Sequence, residues 1–175
     1  FRSGFPEKIG GWTQVSPSQF LGTARSLWVW LDADAGAGNV YTGVGTNSKY
    51  YIYNGAYNDI TPIIQTDTLT NPFATVNTSK TVTVTDATYH PNAGDFVIFN
   101  GTYTVGGTTI SGEYQVQTAP TPTTYTITVA SAATSTTTGG GTVTVNYEYP
   151  IGGTIYTTFN GWGAGPWSRG TWGSG

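Results

Sequence analysis

The sequence predicts an all-β protein: a propeller-blade-like β-meander interrupted by a small inserted β-barrel or β-sandwich domain. Three observations carry this. Short runs in which β-branched and aromatic residues alternate recur along the 175 residues, each bounded by Gly, Asn, Asp or Pro. No segment repeats apolar residues at helical spacing for long enough to make a stable helix. Only 9% of residues are charged, against about 25% in an average globular domain, while Gly reaches 25 residues. The 14% of aromatic residues supplies the apolar surface that disordered chains lack.

Residues 1–64 form the first piece. SLWVWLD, VYTGVGT, KYYIYN and NDITPII read as four strands separated by ADAGAGN, by a turn around Asn47 and Ser48, and by a Gly55 turn. Four short strands in succession are the content of one propeller blade. Side chains alternate along a strand, so Trp28 and Trp30 share one face of theirs, as do Tyr51 and Tyr53. The best helix candidate is SPSQFLGTAR, with Ser16 as cap and Pro17 at the first helical position, and Gly22 limits it to about one turn.

Residues 65–150 change to Thr-rich alternation in KTVTVTD, DFVIFNG, GEYQVQT, TYTITVA and GTVTVNYEY, the five or six strands of the inserted domain. In KTVTVTD the valines face one way and the threonines the other, as a half-buried strand requires. ASAATSTTTGGG reads as a mobile, polar hairpin tip. Residues 151–175 then return to the Gly-aromatic style of the first piece and carry Trp162, Trp167 and Trp172.

Several function classes lose support at this level. Nine acids against six bases, scattered singly, give a net charge of −3 and no basic stripe to neutralise phosphates. Cys is absent, which removes disulfides and thiolate chemistry. No run approaches the length of apolar residues that a membrane-spanning helix needs.

Catalytic and metal constellations are also thin. Asp32 and Asp34 stand like the first ligands of a calcium loop, but Gly36, Ala37 and Gly43 then occupy positions five, six and twelve, so a hairpin turn is expected. His90 is the single histidine, beside the turn residues Pro91 and Asn92, and is expected to be a loop residue. Glu113 and Glu148 lie in separate strand-like runs and could approach across a sheet as a glycosidase pair would, though such acids mostly face solvent. Neither phosphate-cradling glycine motif is present. No catalytic residue, metal or cofactor is expected.

The tryptophans are the remaining candidates. Exposed aromatic rings stack on sugars or anchor interfaces. A spacing of five puts Trp162, Trp167 and Trp172 on alternate faces of any regular strand, which favours packing over one flat platform.

The runs FRSGFPEKIGGW, FLGTARSLWVWL and YTGVGTNSKYYIYNGAYNDITPI resemble the N-terminal part of the tail nozzle proteins of short-tailed bacteriophages, also called tail tubular protein B or packaged-DNA stabilisation proteins. In that family a stretch of the type R-F-R-x-G-x-P-x-K-x-G-G-W opens a β-propeller. GWGAGPWSRGTWG is also similar to the segment after an inserted β-domain in marine phage relatives. The resemblance covers residues 1–64 and 151–175 well and the Thr-rich part loosely.

Family members are several times longer, so the resemblance implies that this sequence is an N-terminal part. It further implies a non-enzymatic virion protein. Copies, expected to be six, form a ring at the distal end of the tail, contact the adaptor and fibres, and let DNA pass without specific binding. Trp12, Trp28 and Trp30 would pack in the propeller, and the Thr-rich domain would project outward. Two other readings of the residues stand beside it: a secreted carbohydrate-binding module, and a surface filament or adhesin subunit assembled by strand exchange.

Overall fold

The computed structural model describes residue 14, residues 16–32 and residues 38–150, and these are all-β, with no helix among them. No helix is therefore long and apolar enough to cross a membrane among the described residues. The chain divides into two compact units, residues 1–63 and 64–175. Trp12 and residues 151–175, with the three terminal tryptophans, lie outside the described residues.

The first unit is one four-stranded antiparallel meander of β1 (Ala24–Asp32), β2 (Asn39–Thr46), β3 (Tyr50–Tyr53) and β4 (Tyr57–Asp59), in that spatial order. Each strand pairs with the next, so β1 and β4 are the sheet edges among the described residues. The helix expected over SPSQFLGTAR does not form, because side chains claim the backbone donors. Ser16 Oγ accepts from the Ser18 N–H (3.2 Å), Tyr51 Oη from that of Leu21 (3.2 Å) and Asn47 Oδ1 from that of Thr23 (2.7 Å). A serine placed to cap a helix here caps a bend instead. The segment carries Phe20 onto Tyr57 (5.3 Å between ring centroids, edge-on) and Tyr51 (6.3 Å).

The second unit packs two sheets around one core. One has the order β10 (Thr118–Thr121), β11 (Thr124–Thr128), β7 (Thr81–Thr85), β6 (Phe73–Thr75), β12 (Thr137–Gly139). The other has the order β5 (Ile63–Thr70), β13 (Thr142–Glu148), β8 (Phe96–Val105), β9 (Thr108–Gln115). Of the two architectures expected, barrel or sandwich, this is a sandwich. Val82 and Val84 are fully buried while the threonines of β7 are not, as the alternation predicts. They meet Phe73, Tyr125 and Ile127 from their own sheet and Val97, Phe99, Ile110, Val143, Val145 and Tyr147 from the other. Phe73 and Phe99 contact edge to face across the two sheets at 5.1 Å.

ASAATSTTTGGG is not the projecting tip that its composition predicts. Ala133 is buried and its N–H donates to Ser79 O (2.8 Å); Thr134 N–H donates to Gly106 O (2.7 Å). Thr75 and Thr108 donate their hydroxyls to Ser135 O (3.0 Å) and Ser131 O (3.1 Å). Thr137–Gly139 then pairs with Phe73–Thr75 as a strand. The backbone of the run finds its partners elsewhere in the domain, so a polar run without charge can lie flat on a domain as readily as leave it.

The polar part of this core is a chain of hydroxyls ending on a carboxylate. Tyr125 and Tyr147 oxygens are 3.2 Å apart, and Tyr147 donates to Asp86 Oδ2 at 2.5 Å. Burial pushes both phenols well above the usual tyrosine value, and for Tyr147 the neighbouring Tyr125 and Asp86 add to the effect. Because the folded values are raised, the unfolded chain loses these protons first. Their contribution to stability is complete below about pH 10 and is lost as pH rises above it. Urea unfolding between pH 8 and 11 should show stability falling by up to about 1.4 kcal/mol per pH unit per tyrosine, with a shallower fall in Tyr147→Phe. Equal slopes in the two proteins would refute the role of Tyr147.

Candidate functional site

The meander carries most of the exposed aromatic surface among the described residues. Cross-strand register sorts its residues: Trp28 is opposite Gly43 and Trp30 opposite Tyr41 on one face, while Tyr51 is opposite Val44 and Tyr53 opposite Thr42 on the other. The two aromatic pairs that alternation places on single faces therefore occupy opposite sides of one sheet.

On the tyrosine side, Phe20, Tyr51, Tyr53 and Tyr57 form a cluster with centroids 4.9–6.3 Å apart. It closes over β2 to β4 but not over β1. Leu27, Val29 and Leu31, on that same side, are 66%, 61% and 61% exposed.

On the tryptophan side, Trp30 stacks on Tyr41 at 5.6 Å with planes 16° apart. Its outer ring leans over Gly43, where an added Cβ would stand 3.3 Å from it. Glycine at this position lets the indole lie down on the sheet. Trp28 has no such cover and is 74% exposed. Strand β1 thus presents apolar side chains on both faces, an arrangement uncommon on a lone sheet because each face normally meets a second layer.

The floor of the meander holds a charge pair that sequence reasoning passed over. Lys49 is 1% exposed and its Nζ lies 3.0 Å from Asp59 Oδ2. Burial alone would raise the Asp59 carboxyl, but the hydroxyl (2.6 Å) and N–H (2.9 Å) of Thr61, together with Lys49, outweigh it and hold Asp59 below the usual carboxylate range. Thr46 Oγ1 accepts from the N–H groups of Ser48 and Lys49, which fixes the turn that delivers Lys49. A lone lysine before a tyrosine run has no sequence signal that separates it from a surface residue. The same is true of Asp86, the carboxylate at the centre of the sandwich.

The other candidates are spread over both units. Asp32 ends β1 opposite Asn39 across the hairpin, and Asp34 lies outside the described residues. His90 is a loop residue between β7 and β8, partly exposed, with its Nε2 buried and without a hydrogen-bond partner among the described residues. Glu113 and Glu148 do approach: they stand on outer strands of the β13–β8–β9 ribbon, and one oxygen of each lies within 4.8 Å of the other. Contrary to the expectation that such acids face solvent, Glu148 is buried, while Glu113 is exposed. Glu148 follows Val145 and Tyr147 of a strand in which every second residue enters the core, so its own side chain points to the opposite face.

No protein-family model matches the chain, and no curated protein matches it. Among solved structures it is similar to a phage phi92 endosialidase, with 22% identity and a TM-score of 0.43 over 63% of this chain. The matched region is 16% of that protein's length.

Proposed function

We propose that this chain is a non-enzymatic structural part of the tail of a short-tailed phage, belonging to the nozzle through which DNA leaves. The observation that carries the reading is strand β1, where Trp28 on one face and Leu27, Val29 and Leu31 on the other are exposed in a sequential four-stranded meander. A propeller blade has this form, and its faces are covered by neighbouring blades. The resemblance of FRSGFPEKIGGW, FLGTARSLWVWL and YTGVGTNSKYYIYNGAYNDITPI to nozzle proteins supports the same reading, and so does an acidic balance of nine acids against six bases, which lets DNA slide without sticking. In this role the copies form a ring, expected to be of six, that contacts the adaptor and fibres.

Mass spectrometry of purified virions tests this. The expected result is the polypeptide carrying this sequence, in about six copies per particle and several times heavier than 18.5 kDa. Its absence from particles would overturn the proposal.

A second reading, carbohydrate binding, has the exposure of Trp28 beside the Trp30–Tyr41 stack in its favour. It requires retention on a polysaccharide gel that is lost in Trp28→Ala. A nozzle part shows no retention in either form.

A further inference from the structure

Three Asn–Gly pairs occur in the sequence: Asn54–Gly55, Asn100–Gly101 and Asn160–Gly161, the last outside the described residues. When the backbone nitrogen after an asparagine reaches the side-chain amide carbon, it can displace ammonia. Glycine obstructs this least, having no Cβ and the widest backbone freedom. The attack needs a near-attack geometry that a fold either permits or forbids, so one dipeptide can be labile at one place and inert at another.

The two described pairs stand in opposite surroundings. All four residues are exposed, so access of water does not separate them. Asn54, Gly55 and Ala56 make the turn between β3 and β4, in which the Asn54 N–H donates to Ala56 O (3.1 Å). Gly55 has a φ of +79° and nothing within 4 Å of the place its Cβ would take. Neither the Asn54 side-chain amide nor the Gly55 N–H is engaged in a hydrogen bond. Asn100 and Gly101 are instead the bulge of β8, the two residues that the register skips between Phe99 opposite Gly112 and Thr102 opposite Ser111. Tyr103 clamps them: its hydroxyl donates to Asn100 O (3.0 Å) and accepts from the Thr144 N–H of β13 (3.2 Å), and a Cβ at Gly101 would stand 2.8 Å from that oxygen.

We propose that Asn54 is a site of spontaneous deamidation and that its place in β8 protects Asn100. The Gly55 nitrogen attacks Asn54 Cγ and forms a bond to it. The Cγ–Nδ2 bond breaks, and the side-chain nitrogen leaves as ammonia with the Gly55 proton, so that a five-membered succinimide remains. Water then opens the ring. Attack at Cγ gives aspartate, and attack at the main-chain carbonyl carbon gives isoaspartate, in which the chain runs through the side chain and is one methylene longer. Either product adds a negative charge. Isoaspartate also lengthens the turn that sets Tyr57 opposite Tyr53 and Asp59 opposite Tyr51, the register in which Asp59 meets Lys49. Ageing at this one turn therefore acts on the alignment of β4.

Peptide mapping by mass spectrometry of the 175-residue chain, sampled over weeks in mildly alkaline buffer, tests the site. Conversion, read as the mass gain of an acid replacing an amide, should be at least tenfold faster at Asn54 than at Asn100. In unfolding urea this gap should close, because both pairs follow an aromatic residue, Tyr53 or Phe99, and only the fold distinguishes them. Gly55→Ala, also measured in urea where folding does not enter, should slow Asn54 at least tenfold, since the attacking nitrogen is that of residue 55. Unchanged Asn54, or equal rates at the two sites in the folded chain, overturns the proposal. A gap that persists in urea overturns the protection of Asn100 by β8. The virion measurement is unaffected by any of these outcomes, so the two proposals fail separately.

Discussion

Asp86→Ala should destabilise the sandwich by about 3 kcal/mol or more, because it removes three hydrogen bonds to a carboxylate, each worth about 1.5–3 kcal/mol, and one of their donors is buried. Asp86 is 1% exposed and collects three donors: the N–H groups of Thr88 (2.7 Å) and Tyr89 (3.2 Å) on Oδ1, and the Tyr147 hydroxyl on Oδ2. Two of these hold the turn after β7 and the third ties that turn to β13 in the opposite sheet. Alanine removes all three acceptor contacts and leaves the Tyr147 hydroxyl buried without its acceptor. Tyr147→Phe should cost less, about 1.5–3 kcal/mol, since it deletes one hydrogen bond to a carboxylate and keeps the ring against Tyr89 and Tyr125. The double variant should be more stable than the sum of the two losses implies, because both remove the same bond. Urea unfolding of the four proteins gives the comparison, and strict additivity would mean that the Tyr147–Asp86 contact contributes nothing.

The second large effect is expected at Gly106, where Ala should cost about 2–4 kcal/mol. Gly106 and Gly107 are the two turn residues between Val105 and Thr108, with φ of +57° and +76°. This is the two-residue hairpin that left-handed residues make. The backbone term for Ala is about 1–2 kcal/mol. Packing adds the rest: a Cβ at Gly106 would stand 2.8 Å from Ser135 O and overlap Thr75 Oγ1. Thr75 cannot turn aside cheaply, since its hydroxyl serves Ser135 O and Thr137 O. Gly112→Ala is the control, with φ of +76° but open space around its Cβ, and should show the backbone term alone. Equal losses at the two sites would refute the packing argument.

Much of the fold was legible because β patterning is local. Alternation in TVTVT predicted which side of β7 is buried, and the same rule paired Trp28 with Trp30 and Tyr51 with Tyr53. The first three strands of the meander were readable from their turn residues, whereas NDITPII, read as the fourth, spans the end of β4 and the start of β5 in another sheet. Composition misled where one residue type serves two ends. Ser16 suits a helix cap and a bend equally, and the uncharged run SAATSTTT suits a solvated tip equally with a segment whose backbone is held by Gly106 and Thr75.

By itself, then, the sequence determined the all-β class, the first three strands of the meander and the alternation of the Thr-rich strands, all of which depend on neighbours a few positions apart. Tertiary structure alone decided what depends on residues far apart in the chain. It turned the two aromatic pairs to opposite faces, buried Lys49 beside Asp59 and Asp86 beneath Tyr147, and brought Glu113 within reach of Glu148. It also left Trp28 exposed on one face of β1 and Leu27, Val29 and Leu31 on the other. A side chain's partners across a sheet are set by register and sheet order, and neither is written in the spacing of a single strand.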